Sequence, residues 1–319
     1  MSQLMTNRPT ITIGMPVRNC EATLAQAIRS LQLQTYQDWR LIMIDDGSSD
    51  GTLKAAQQFD DKRITILSDG VHRGLPARLN QILTLAQSKY FARMDSDDIA
   101  YPQRLERQVR YIEEHPKVDL VGTGIAVFGQ EGYLLGKRQV PREHAAICHS
   151  PHAGFFLAHP TFLGKLEWFR RYQYRETAVR CEDQDLLLRS YRASQFGNVP
   201  EILLGYREET INPQKIFTAR WYYGIAVARE FARRGEYGTV AWALLLQSAK
   251  AALDWVAITS GLHHKLLKHR ARRVSALERS EWHTVWEMVN APQYSPIISE
   301  SSSSCVDGAG RSTTSASLV

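Results

Sequence analysis

Two acidic runs, Asp45-Asp46 and Asp95-Ser96-Asp97-Asp98, each follow directly on a short apolar run and precede a helical pattern. A β-rich run, a loop of turn and capping residues and then a helix, repeated in this way, is the pattern of βα units around a mostly parallel sheet. The spacing predicts strands over Thr10 to Val17, Trp39 to Ile44, Arg63 to Leu67 and Tyr90 to Met94. Helices are predicted over Glu21 to Gln34, from the Gly51-Thr52 turn to Phe59, over Leu75 to Ala86 and from Pro102 to Glu114. The fold class is therefore α/β, with both acidic runs at the carboxyl ends of strands, where open α/β sheets bind ligands.

A single Asp at such a turn reads as the cap of the following helix. A cap needs one carboxylate, whereas this edge gathers five: Asp45, Asp46, Asp95, Asp97 and Asp98. With no Arg partner evident in the loops, they repel one another unless a cation lies between them. A hard divalent ion, Mg²⁺ or Mn²⁺, suits such oxygen ligands and usually completes its shell with substrate phosphates. The first strand is followed by Met15-Pro16-Val17-Arg18-Asn19, with no Gly-rich phosphate loop, so an ordinary P-loop kinase and an ordinary Rossmann dehydrogenase are disfavoured.

Composition narrows the setting. At 319 residues with 44% hydrophobic content the chain can bury a sizeable core. Its four cysteines form no Cys-x-x-Cys pair, which argues against a structural zinc or a disulfide framework and for a reducing cytoplasm. Neither a signal peptide nor a membrane-spanning run is evident. The net charge of +6 suits an anionic partner, and a nucleic acid, an acidic membrane and a phosphorylated substrate all qualify.

The separate blocks then carry a resemblance. Met15-Pro16-Val17-Arg18-Asn19-Cys20-Glu21, Asp45 through Thr52, Arg73-Gly74 through Arg78-Leu79-Asn80, Asp95-Ser96-Asp97-Asp98 and Glu182-Asp183-Gln184-Asp185 occur in the order and spacing of family 2 glycosyltransferases with the GT-A fold. The likeness covers about residues 10 to 207. It implies a Rossmann-like, mixed, mostly parallel sheet flanked by helices, and transfer of a sugar from a nucleotide diphosphate donor, usually a uridine one, with inversion at the anomeric carbon. Carried over position by position, it puts Pro16 and Asp46 at the uracil, with Arg18 and Glu21 beside them. Asp95 falls on the ribose and diphosphate side, Asp97 at the metal, Arg73 and Arg78 near the diphosphate, and Asp183, preceded by Glu182, at the catalytic base. His159-Pro160-Thr161 resembles a segment of the acceptor half, while Arg170 to Tyr174 departs from the family's Gly-Gly-Tyr-like turn. The chemistry agrees: a leaving diphosphate needs its growing charge neutralised, and an incoming hydroxyl needs a carboxylate to take its proton. For Glu182-Asp183 the residues alone allow another reading, stabilisation of a helix N-terminus.

Beyond Val118 the pattern loosens into strands and hairpins, a helix restarts at Asp183, and a strand runs from Asn198 to Tyr206. The chain divides into an N-terminal tail (1–9), a catalytic domain (10–212), a C-terminal helical extension (213–293) and a Ser-rich tail (294–319) too poor in apolar residues to fold. Trp242, Leu245, Leu246, Ala249, Leu253 and Val256 make an apolar helical stripe, followed by a basic run from His263 to Arg273. The stripe packs on the catalytic domain or, with the basic run, residues 240–273 lie on an anionic membrane surface. The expected partners are a nucleotide-sugar donor and a glycan or lipid-linked saccharide acceptor, with no nucleic acid, in a cytoplasmic protein peripheral to the inner face of the plasma membrane. Two rivals are a catalytically silent nucleotide-sugar-binding scaffold and a sugar nucleotidyltransferase. The second normally has a Gly-rich, Lys/Arg-bearing first loop that this chain lacks.

Overall fold

The computed structural model describes residues 9–208, 213–260 and 272–291; the tail from 294 lies outside them. Four parallel strands form one half of the sheet: β1 (Ile11–Val17), β2 (Trp39–Asp45), β3 (Ile64–Ser68) and β4 (Tyr90–Arg93). Helices α1 (Glu21–Gln32), α2 (Thr52–Ala56) and α3 (Leu75–Leu85) connect them. The second half carries β5 (Ile99–Ala100), β6 (Leu120–Phe128), β7 (Leu134–Arg138), β8 (Leu163–Lys165) and β9 (Phe196–Arg207). The order across the nine-stranded sheet is β3-β2-β1-β4-β8-β6-β9-β5, with β7 on β6. β8 runs antiparallel to both β4 and β6.

Residues alternate between the faces as the pleat requires. Ile11, Ile13, Met15 and Val17 of β1 enter one apolar cluster with Leu24, Ile28 and Leu31 of α1. Phe91 of β4 enters a second cluster with Leu79 and Ile82 of α3. Gly14 faces that second cluster because a Cβ there would lie 2.6 Å from the Phe91 ring, so β1 brings α3 close to the sheet. The remaining helices are α4 (Arg104–Glu114), α5 (His144–Ile147), α6 (Leu166–Tyr172), α7 (Glu182–Ser190), α8 (Pro213–Ala232), α9 (Tyr237–Thr259) and α10 (Ala276–Asn290). Tyr223, Val227 and Phe231 of α8 and Ala243 of α9 complete the second cluster, while Trp282, Val285 and Val289 of α10 complete the first.

Several boundaries differ from the sequence expectation for local reasons. α1 stops at Gln32, not Gln34, because the Gln34 amide donates to Ser30 O and Tyr101 O and the Thr35 N–H to Pro102 O, which draw the chain out of the helix. α2 stops at Ala56, short of Phe59, ahead of a turn in which Asp61 accepts from the Arg63 N–H and guanidinium. α4 starts at Arg104, two residues after Pro102.

Candidate functional site

β1 lies between β2 and β4, so the loops after these three strands meet at one edge. A cleft of about 1120 Å³ opens there. Pro16, Arg18, Glu21, Asp95 and Asp97 line it on the strand side. Arg180, Arg207 and Lys215 line it from the second half of the chain. Of these, sequence reasoning missed the last three, which come from separate segments with no motif of their own. Arg180, exposed and just ahead of α7, takes a left-handed backbone (φ 58°), uncommon for a residue with a side chain.

The floor is acidic. Asp95, Asp97 and Asp98 each offer a carboxylate oxygen, all within 4.8 Å of one another. The Asp98 Oδ1 accepts from the Arg207 N–H at 3.0 Å, and its Oδ2 is buried with no hydrogen-bond partner. Burial and then the charges of Asp95 and Asp97 push the Asp98 carboxyl well up. Asp97 is exposed at the cleft; partial desolvation by the surrounding loops, followed by the Asp95 charge, pushes its carboxyl up to about 6. Three crowded carboxylates, one of which also carries an orphaned buried oxygen, are a donor set that a hard divalent cation fits.

A buried cation runs beneath this floor. Arg93, the last residue of β4, is 3% exposed, and its Nη2 pairs with the Asp95 Oδ1. Burial works against its charge, but Asp95, Tyr174, Asp98 and Glu182 outweigh that and hold the guanidinium protonated. Glu182 and Asp183 open α7 close to the same cation. Burial, then the neighbouring Asp183 charge, push Glu182 up to about 7, and burial raises Asp183 as well. The Asp183 Oδ2 accepts from the Gln184 amide at 3.2 Å. His159 adjoins this helix start, its Nδ1 3.8 Å from Glu182 and its Nε2 3.1 Å from the Tyr174 hydroxyl. Burial and the Arg93 charge hold it well below the usual imidazole range, so the ring is neutral.

Several sequence expectations meet a different arrangement. The acidic loops do have arginine partners: Arg78 serves Asp46 and Arg93 serves Asp95. Asp46 does not open onto the cleft but is 4% exposed beneath the loop before α3. It accepts from the Arg73 N–H (2.7 Å), the Gly74 N–H (3.0 Å), the Arg78 Nε (2.9 Å) and the His72 Nδ1 (2.7 Å). Gly74 reaches it from φ +88°, a conformation that favours glycine. Burial would raise this carboxyl, but the four donors together hold it below the usual carboxylate range. Arg78, in turn, is 0% exposed and faces no open cleft; its guanidinium is occupied by Asp46, Asp69, Gln81 and the Val71 carbonyl. Arg73 turns outward to Asp69 at 3.1 Å. Glu21 borders the cleft, yet its carboxylate accepts from the Gly51 N–H at 2.9 Å and ties the first and second loops together. Arg18 meets His72 at 3.1 Å across the same rim.

Comparison with known proteins accords with this geometry. Residues 12–179 match the family model described as Glycosyl transferase family 2. EpsE of Bacillus subtilis, a protein named as a glycosyltransferase, is 35% identical over 213 residues, 65% of this chain and 76% of its own. Among solved structures, the S. aureus TarS 1-349 complex with UDP superimposes with a TM-score of 0.57 at 16% identity, over 88% of this chain and 80% of that one. Of a longer TarS chain this protein spans 39%. The mannosyltransferase PcManGT of Pyrobaculum calidifontis, in complex with GDP-Man and Mn2+, gives a TM-score of 0.53 at 16% identity, over 89% of this chain and 86% of that one. These structural likenesses show the fold.

Proposed function

Because the chain belongs to glycosyl transferase family 2 and is a glycosyltransferase with the GT-A fold, we propose that it transfers a sugar from a UDP-sugar to a hydroxyl of a glycan or lipid-linked saccharide. The observation that carries this reading is the carboxylate trio in which Asp95 and Asp97 line the cleft and Asp98 is buried behind them, with Arg180, just ahead of Glu182 and Asp183 in the chain, on the opposite wall. Asp97, with Asp95 and Asp98, would hold Mn²⁺ or Mg²⁺; when bound, such an ion supplies positive charge against the departing diphosphate.

The chain's own residues do the rest. Pro16 and Arg18 border the nucleoside end of the cleft and Asp95 the ribose and diphosphate, while Arg180 supplies an exposed cation toward the phosphates. Asp46, held by Arg78, shapes the β2 loop, and a direct bond to the base requires the loop over it to yield a donor. Asp183 accepts the proton of the acceptor hydroxyl as its oxygen bonds to the anomeric carbon. The bond from that carbon to the diphosphate oxygen breaks on the opposite side, so configuration inverts and UDP leaves. Burial raises the Asp183 carboxyl and so makes it a stronger proton acceptor than an exposed Asp. Among the described residues no helix is long and apolar enough to cross a membrane; the reading places the protein at the inner face of the membrane, beside a lipid-linked acceptor. Incubation with a panel of nucleotide sugars and saccharide acceptors, with and without Mn²⁺, tests it. The expected result is metal-dependent release of UDP coupled to acceptor extension, and release of pyrophosphate, or of nothing, would refute it.

A further inference from the structure

α9 is built inside out. Two of its polar side chains turn toward the protein: Gln247 is buried and donates to the His152 carbonyl at 3.3 Å, and the Lys250 ammonium donates to the Ala153 carbonyl at 3.2 Å. Its other face presents Trp242 (55% exposed), Leu245 (61%), Ala249 and Leu253 (68%) to the outside. Positions 242, 245, 249 and 253 follow the helical repeat, so they form one continuous stripe. The neighbouring α8 adds Trp221, 70% exposed, and Ile225. A soluble helix normally turns such a stripe to the core, and an exposed apolar patch of this kind marks a contact surface. The sequence alone left both alternatives open; in the structure Leu246 is half-buried, while Trp242, Leu245, Ala249, Leu253 and Val256 of the stripe are exposed.

We propose that the outer face of α9, with Trp221 and Ile225 of α8, is an interfacial surface that lies on an anionic lipid bilayer and sets the cleft mouth against it. Two further observations choose the lipid over a second copy of the chain. Five Lys and Arg residues fall between Lys265 and Arg273 in the sequence that follows α9; Lys265, Lys268 and Arg270 lie outside the described residues. Those charges repel their counterparts on a second copy and are attracted to anionic headgroups. Arg272 is anchored to β7 by main-chain bonds to Lys137 in both directions, so the exposed Arg272 and Arg273 at the end of the run are fixed to the catalytic sheet. The hairpin also reaches the cleft: Lys215, Ile216 and Ala219, from the first two turns of α8, line it. One pair of helices thus forms both the apolar face and a cleft wall. For its use this inference rests on the proposed lipid-linked acceptor, but its test does not.

The full chain is mixed with vesicles of roughly equal parts phosphatidylglycerol and phosphatidylcholine and floated at low salt. The wild type should rise with the vesicles and be released by high salt, and neutralising Lys265, Lys268 and Arg270 together should abolish the preference for anionic lipid. The double variant Trp242→Glu, Leu253→Glu should lower the partition coefficient by about tenfold or more. Both side chains are exposed, so its melting temperature should match the wild type, and its transfer rate onto a soluble acceptor should stay within about twofold. A wild type that stays unbound at low salt, or a double variant that floats as well as the wild type, overturns the proposal. A dimer in sedimentation that the same double variant dissolves also overturns it, with a second copy as the occupant. If no nucleotide sugar supports transfer, the functional reading fails while flotation still decides the surface.

Discussion

Replacing Arg78 by Met separates two roles that the same residue could have. A diphosphate contact predicts a well-folded protein with weak donor binding. The buried guanidinium seen here predicts a protein that is less stable before any donor is added. Arg78 is 0% exposed and supplies one of the four donors that hold Asp46, itself 4% exposed. Removing one partner of a buried ion pair costs about 3–5 kcal/mol. The His72 ring and two backbone N–H groups still reach Asp46, which puts the expected loss near the lower end, about 3 kcal/mol. That is a fifth to more than half of a typical net stability of about 5–15 kcal/mol. Urea unfolding followed by circular dichroism should show it as a lower midpoint at unchanged slope. The pH dependence carries a second signature. The folded-state carboxyl of Asp46 is depressed, so its contribution is present above the unfolded value near 3.8 and is lost as pH falls through the lower folded value. Wild-type stability should therefore decline below about pH 4, and part of that decline should be missing in Arg78→Met. A variant within about 0.5 kcal/mol of the wild type, with donor affinity alone reduced, would refute the structural role.

Asp97→Asn should leave the fold intact while lowering metal-dependent turnover by about 100-fold or more and shifting the Mn²⁺ activation curve to higher concentration, and full turnover in a chelator would show that no ion acts there. Asp183→Asn should lower kcat by roughly 10²–10⁴ with donor affinity retained; weakened donor binding at unchanged kcat would place the base elsewhere. Glu182, pushed up to about 7, is ionised at a cost in the fold above that pH. Because its folded value is raised, its stabilising contribution is complete below about 4.5 and disappears as pH rises through about 7, so thermal melts should show Glu182→Gln gaining on the wild type across that window. A difference that is flat with pH would sink this assignment.

The sequence made the βα alternation and the acidic strand ends visible because both are local: a strand, its loop and the next helix are contiguous. The counter-ions were not visible for the converse reason. Arg93 precedes its partner Asp95 by two residues but reads as part of a buried strand, and Arg78 reaches Asp46 from 32 residues away on a helix whose other residues point to packing. Motif likeness marked Arg78 as a residue near phosphate; only the packed structure shows its donors already spent. The α9 stripe teaches a related lesson. Periodicity locates an apolar face on a helix, and Gln247 and Lys250 on the opposite stripe, but not the side of the molecule each looks toward; here the polar stripe is the one bonded to the protein. Arg180, Arg207 and Lys215 enter the cleft through chain reversals far apart in sequence, so no window of residues holds their signal.

The docking of α10 onto α1 sets the order in which a nascent chain can become an enzyme. The Gln26 amide donates to Asn290 Oδ1 at 2.8 Å, the Arg29 Nη1 to the Val289 carbonyl at 3.3 Å, and Trp282 fills the space left by Gly205 on β9. The first βα units can form during synthesis, because their contacts are short in sequence. The apolar layer over Tyr101, Phe128 and Gly205, and the polar links to α1, stay open until residues 282 to 290 have cleared the ribosome, since nothing earlier in the chain supplies those side chains.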